Sequence, residues 1–131
     1  MSELVLIACC AACRELLEAP LAAAGMRMVT RPAGESLLEG ALDLHPDAVL
    51  YELSSENAVD LAVLQLLRRT CPHLPLVLIA GDASIGEQRV LRELRPTYYA
   101  VQPVDPEEIV DALRAALHRN IRNGTHEPRG V

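Results

Sequence analysis

The feature that most narrows the fold is a set of short apolar runs separated by longer helical stretches. Leu4–Ala8 (LVLIA) and Pro75–Ala80 (PLVLIA) are apolar at every position. A strand with one wet face alternates apolar and polar side chains. A strand that is apolar throughout must be covered on both faces, as in a parallel sheet held between helical layers. Three more β-rich segments follow the same rhythm, giving five expected strands: β1 (Leu4–Ala8), β2 (Met26–Thr30), β3 (Ala48–Leu53), β4 (Pro75–Ala80) and β5 (Thr97–Gln102). The intervening stretches predict five helices: α1 (Cys10–Ala24), α2 (Gly34–Leu44), α3 (about Asn57–Thr70), α4 (Ser84–Arg95) and α5 (Asp105–His118).

Local signals support these boundaries. Gly25 is a good stop for α1, while Pro20 inside it predicts a kink, because proline removes one helical hydrogen bond and crowds the preceding turn. His45-Pro46-Asp47 reads as a turn before β3, and Cys71-Pro72-His73 breaks α3. For α5, Asp105 caps, Pro106 fits the first helical position, and Glu107 and Glu108 sit at the positive end of the dipole. Residues 121–131 (IRNGTHEPRGV) show no periodicity and are expected to be a disordered tail after a single domain spanning 1–120. Strand–helix alternation with short loops implies right-handed crossovers and helices on both faces, an α/β doubly wound (βα)5 architecture. Ligands on such sheets sit at the carboxyl ends of the strands, here residues 8–13, 53–57, 80–84 and 102–105.

Composition agrees. With 131 residues the chain fits one domain, and half its residues are hydrophobic although Phe and Trp are absent. The core must therefore be built from Leu, Val, Ile and Ala. A net charge of −6 argues against nonspecific nucleic-acid binding. No apolar run approaches the roughly 20 residues that cross a bilayer, so no membrane role is expected. The opening MSELVLIACC has an acid and no basic region, and reads as a strand rather than a signal peptide. A cytoplasmic location is expected, with the four cysteines as reduced thiols.

GESLLEGALDLHPDAVLYEL, LLRRTCPHLPLVLIAG and YYAVQPVDPEEIVDALRAAL, in that order and spacing, resemble the receiver domains of bacterial two-component response regulators, over roughly residues 3–118. The resemblance implies the flavodoxin-like strand order 2-1-3-4-5. It also implies a phosphorylation site: an acidic pair after β1 holding Mg²⁺, an accepting Asp ending β3, a Ser or Thr ending β4, and a Lys before Pro after β5. Those positions hold Ala8 and Cys9, Glu52, Ala80, and Gln102; only Pro103 matches. Phosphoryl transfer depends on positioning and on cations that meet the phosphoryl charge. Hard Mg²⁺ seeks oxygen ligands, which the paired positions lack. The reading is a noncatalytic pseudo-receiver without cofactor or metal. A phosphoacceptor would have to be another residue, such as Ser54 or Ser55. Glu52 would imitate a phosphorylated Asp only with a lysine or hydroxyl to receive its charge, and both are missing from the matching positions. Tyr99 holds the switch-aromatic position and is expected to be fixed, facing inward, with Tyr98 packing on the opposite face. The Gln102–Pro103 bond is a candidate cis peptide, as the matching bond is in the family.

Cys9, Cys10 and Cys13 crowd the start of α1, and Cys10-Ala11-Ala12-Cys13 is a CxxC sequence. Thiols at a helix N-terminus become more acidic and nucleophilic, so the alternative function is a redox sensor or soft-metal binder using these three. Space-filling by small apolar-like thiols is the plainer account. Cys71, at the amino end of β4, lies on the opposite edge of the sheet. Cys13-Arg14 faintly resembles the end of a low-molecular-weight tyrosine phosphatase loop, but Ala8 takes the nucleophile position and the loop lacks glycine.

Function is then expected to run through another protein. Helical spacing has α5 bury Ile109, Val110, Leu113, Ala116 and Leu117, leaving Glu107, Asp111, Arg114 and His118 outward. For α4 it buries Val90, Leu91 and Leu94 and exposes Arg89, Arg92 and Arg95. The basic and acidic stripes complement each other across a twofold axis, which suggests a homodimer on the α4-β5-α5 face. On α3 the polar positions Asp60, Gln65, Arg68 and Arg69 are expected outside with Leu61 and Leu64 among them, a second contact surface.

Overall fold

The computed structural model describes residues 3–53, 58–80 and 93–130. Its five strands form one parallel sheet of order β2-β1-β3-β4-β5, with β1 at Glu3–Ala8, β4 at Leu76–Ala80 and β5 at Tyr98–Val101. The chain therefore winds one way from β1 to β2 and the other way from β3 to β5. The reversal lies between β1 and β3, where loops diverge and leave a crevice at the carboxyl edge. The helices run Ala11–Ala23 (α1), Glu35–Leu44 (α2), Ala58–Thr70 (α3) and Pro106–Gly130 (α5). Of α4, Glu93 and Leu94 are helical; residues 81–92, with Arg89, Arg92, Val90 and Leu91, lie outside the described residues.

Alternation along the strands divides the core in two. Val5, Ile7, Ala48, Leu50, Val77 and Ile79 face one layer, where they pack with Cys13, Leu17 and Leu21 of α1 and Ile109, Val110, Leu113 and Leu117 of α5. Leu6, Ala8, Val49, Tyr51, Leu76 and Leu78 face the other, with Leu37 and Ala41 of α2 and Leu64 and Leu67 of α3. Strands apolar at every position are what such double coverage requires, and each fully buried Leu, Ile or Val stabilises the fold by about 1.5–3 kcal/mol.

The helix ends follow their sequence signals. Asp105 Oδ1 accepts from the Glu107 N–H at 3.0 Å, so the expected cap starts α5. Asp47 ties the turn before β3 to the start of β1: its Oδ2 accepts from the Leu4 N–H at 2.7 Å, and its own N–H donates to the Leu4 carbonyl at 2.8 Å. α1 remains continuous through Pro20. α5 runs to Gly130, through the segment expected to lack regular structure. Adding residues to an existing helix fixes one residue per new hydrogen bond, so extension needs no apolar face to support it. Every α5 residue expected to be buried is buried, and Glu107, Asp111, Arg114 and His118 are exposed.

On α3 two expectations are corrected. Asp60 is 2% exposed, and Leu64 is fully buried while Leu61 packs half-buried on the core; the exposed leucine is Leu66. The helix is rotated from the wheel assignment because Asp60 finds a buried partner in Tyr51, which a count of polar positions does not anticipate.

Candidate functional site at the carboxyl edge of the sheet

Glu52 is the penultimate residue of β3, on the face shared with α1 and α5, and it is half-buried. The next segment, residues 54–57 with Ser54 and Ser55, lies outside the described residues. The Glu52 carboxylate meets three donors. Oε1 accepts from the Cys10 backbone N–H at 2.7 Å. Oε2 accepts from the Cys10 thiol, with sulfur 3.8 Å away, and from Gln102 Nε2. Gln102 reaches it from just beyond β5, where its own N–H donates to the Ala80 carbonyl at 2.9 Å. The Gln102–Pro103 peptide bond is cis. Neither a lysine nor a hydroxyl is among these contacts; the partners are neutral donors, a backbone N–H, a thiol and an amide. Gln at the position that resemblance gives to lysine was the signal, since an amide donates as an ammonium does but carries no charge.

Around this cluster the matched positions do converge. Ala8, the last residue of β1, pairs in register with Tyr51, and Ala80, the last of β4, pairs with Leu53; both alanines are fully buried. Cys9 is half-buried and Cys10 exposed. The donor set does not fit Mg²⁺. Two of the three expected carboxylate positions carry a methyl group and a thiol, and the third carboxylate is already engaged by nitrogen and sulfur donors. All twelve basic residues of the chain are arginine, so no lysine from elsewhere in it can supply the missing ammonium.

Cys10 is also the N-cap of α1: its extended backbone (ψ 164°) lets Sγ accept from the Cys13 N–H at 3.4 Å. Cys13 is buried against the core, where Cys9 donates a hydrogen bond to its sulfur. That bond lowers the Cys13 thiol pKa against the opposing effect of burial, and raises that of Cys9. All four cysteines are free thiols. Among the described residues no group of three or more His, Cys, Asp or Glu is arranged to hold a metal ion.

A second polar cluster lies beneath the crevice and escaped sequence reasoning altogether. The fully buried Tyr51 hydroxyl donates to Asp60 Oδ1 at 2.5 Å and accepts from the Gly34 N–H at 3.0 Å. It joins β3, the start of α3 and the N-cap of α2, and burial followed by the Asp60 contact pushes the phenol well above the ordinary tyrosine range. Arg68 forms another tie. Its guanidinium donates to the carbonyls of Leu94 (2.8 Å), Pro72 (3.0 Å), Leu74 (2.8 Å) and Arg95 (3.5 Å), anchoring the end of α4 to the loop after α3. This corrects its expected place on an open polar face.

Tyr99 is half-buried against the α2/α3 layer and Tyr98 against the α1/α5 layer. Of the expected dimer face, Arg95, Glu107, Asp111 and Arg114 are exposed. Arg114 and His118 also border a cleft of about 220 Å³ against Glu3, Ala24 and Met26.

Strand order, reversal point and the convergence of positions 8, 52, 80 and 102 define the class: the fold is that of response-regulator receiver domains. No family model matches the sequence. In structure the chain is similar to a CheY-like receiver domain protein from Methanospirillum hungatei, with a TM-score of 0.83 at 13% identity, covering 94% of this chain and 99% of that one. In sequence it is similar to the probable transcriptional regulator ycf27 of Guillardia theta (27% identity, 83% of this chain and 42% of the relative). It is likewise similar to the probable transcriptional regulatory protein TcrX of Mycobacterium tuberculosis (28% identity, 80% of this chain and 45% of the relative). The chain thus spans less than half the length of these curated relatives.

Proposed function

We propose that this chain acts in two-component-type signal transduction as a pseudo-receiver: it binds another protein and takes no phosphoryl group at the usual position. The observation that carries the reading is the Glu52 carboxylate, held by the Cys10 N–H, the Cys10 thiol and the Gln102 amide. A phosphoryl group at the end of β3 would need a metal ion and a cation at its equatorial oxygens, and these neutral donors supply neither. Such a module holds one conformation and presents a fixed surface, without catalysis of its own. Among the described residues no helix is long and apolar enough to cross a membrane, and we place the protein in the cytoplasm. The net charge of −6 favours a protein partner over nucleic acid. The exposure of Arg95 and of Glu107, Asp111 and Arg114 on α5 supports self-association on the α4-β5-α5 face as one form of that partnership.

The test exposes the full chain to acetyl phosphate with Mg²⁺, and separately to beryllofluoride with Mg²⁺. Intact mass and backbone amide spectra are the readouts. Unchanged mass and unchanged amide shifts around residues 52, 80 and 102 are expected. A stable phosphoryl adduct, or beryllofluoride-dependent shifts centred on Glu52, would overturn the reading.

A further inference from the structure

The cysteines at the start of α1 do more than fill space. Cys10 is exposed at the N-cap of a 13-residue helix, and Cys13, one turn on, is buried. Residues three apart on a helix bring their Cβ atoms to about 5–6 Å, so a disulfide, whose Cβ atoms lie about 3.5–4.5 Å apart, forms here with a tightening of the first turn. The Cys10 sulfur already lies over the Cys13 backbone, accepting its N–H at 3.4 Å. Beneath, the third thiol, Cys9, donates a hydrogen bond to the Cys13 sulfur, so Cys13 carries a partner that supports its negative form. Cys71 sits at the other edge of the sheet, after α3, and shares none of this.

We propose that Cys10 and Cys13 are a thiol–disulfide pair, with Cys10 the entering nucleophile and Cys13 the resolving thiol, and with a small-molecule disulfide as the oxidant. In the first step the Cys10 thiol loses its proton to solvent. Its sulfur attacks one sulfur of the small disulfide, a mixed disulfide forms, and one small thiolate leaves and takes up a proton. In the second step Cys13, also deprotonated, attacks the Cys10 sulfur, closing the Cys10–Cys13 bond and expelling the second small thiol. Two protein thiols are oxidised and one small disulfide is reduced to two thiols. The geometry assigns the order: the outer sulfur, on Cys10, is the one a solute can reach, and Cys13 is buried behind it. The helix N-terminus adds to the support for negative charge on the Cys13 sulfur. Closure removes the thiol hydrogen that Cys10 donates to Glu52 Oε2, so the state of the pair is felt at the Glu52–Gln102 contact. This redox site is independent of the pseudo-receiver reading and survives its failure.

The experiment uses the full chain, reduced and then equilibrated in glutathione buffers of increasing oxidised fraction. Each sample is quenched by alkylation and mapped by peptide mass spectrometry. A Cys10–Cys13 disulfide is expected, with Cys9 and Cys71 alkylated. The Cys13→Ala variant should instead accumulate glutathione on Cys10, at a rate roughly ten-fold above that at Cys71. Should Cys13→Ala fail to fold, Cys10→Ser changes only the exposed sulfur and should abolish the intramolecular bond. A Cys9–Cys13 bridge, glutathione spread evenly over the thiols, or no Cys10–Cys13 bond in the wild-type chain under the most oxidising buffer overturns the proposal.

Discussion

Replacing Tyr51 by Phe isolates the buried cluster that joins three elements beneath the crevice. The substitution removes one oxygen and keeps the ring, so it opens almost no cavity. What disappears is a 2.5 Å hydrogen bond to the Asp60 carboxylate and the acceptor of the Gly34 N–H at 3.0 Å. A hydrogen bond to a charged group contributes about 1.5–3 kcal/mol, and a buried N–H left without an acceptor costs about 1–3 kcal/mol. With Tyr51 fully buried and Asp60 at 2% exposure, solvent cannot readily replace either contact. The two terms are coupled, so we expect a loss of about 3 kcal/mol, a large part of the ~5–15 kcal/mol that domains of this size possess. For 131 residues this lowers the melting temperature by about 10 °C. Calorimetry and urea titration measure it, and the urea slope should stay constant because the same surface is exposed on unfolding. A pH series gives a second readout. The Tyr51 pKa is raised in the fold, so its contribution is complete below the unfolded-chain value of about 10. Above that value the unfolded chain ionises while the folded one holds its proton, and stability falls by up to about 1.4 kcal/mol per pH unit. That alkaline component should vanish in the Phe variant. A Tyr51→Phe protein as stable as the parent, with the same alkaline slope, would refute the argument.

Three other substitutions probe separate parts of the structure. Arg68→Met keeps the aliphatic stem but removes the donors to Leu94, Pro72 and Leu74, and should cost about 2–4 kcal/mol by urea titration, with faster amide exchange at Leu94 and Arg95. Gly34→Ala meets no atom within 4 Å, yet Gly34 sits at φ 94°, so about 1–2 kcal/mol of backbone strain is the whole expected effect; a neutral result would contradict it. For the Glu52 cluster, a double-mutant cycle of Glu52→Gln with Gln102→Leu should give a coupling of about 0.5–1.5 kcal/mol, and zero coupling would mean the amide does not stabilise the carboxylate.

The sheet was legible because its information is local. LVLIA and PLVLIA need helices on both faces wherever they fold, and Asp105-Pro106-Glu107-Glu108 starts a helix from its own backbone donors. The apolar stripe of α5 from Ile109 to Leu117 was equally readable, since a long helix with one greasy side has one way to bury it. The resemblance to receiver domains pointed to Ala8, Cys9, Glu52, Ala80 and Gln102 at the carboxyl edge, so they could be named in advance. What they do to one another could not. Whether Glu52 has partners depends on where a glutamine fifty residues later places its amide, and on a backbone N–H that identifies no side chain in the sequence.

Asp60 and Arg68 make the same point from the other direction. On a helical wheel both count as polar and therefore outside, but one lies sealed against a tyrosine hydroxyl and the other is spread over four carbonyls from two segments. The sequence alone determined the periodicities, the start of the final helix and the chemical types at the strand ends, because these are set by neighbours along the chain. Only the tertiary structure decided the pairing of Tyr51 with Asp60, the engagement of Glu52 by Gln102 and Cys10, and the burial of Cys13 beneath an exposed Cys10. Each is a hydrogen bond or a burial that depends on packing between elements, and side-chain type does not encode the direction from which a partner will arrive.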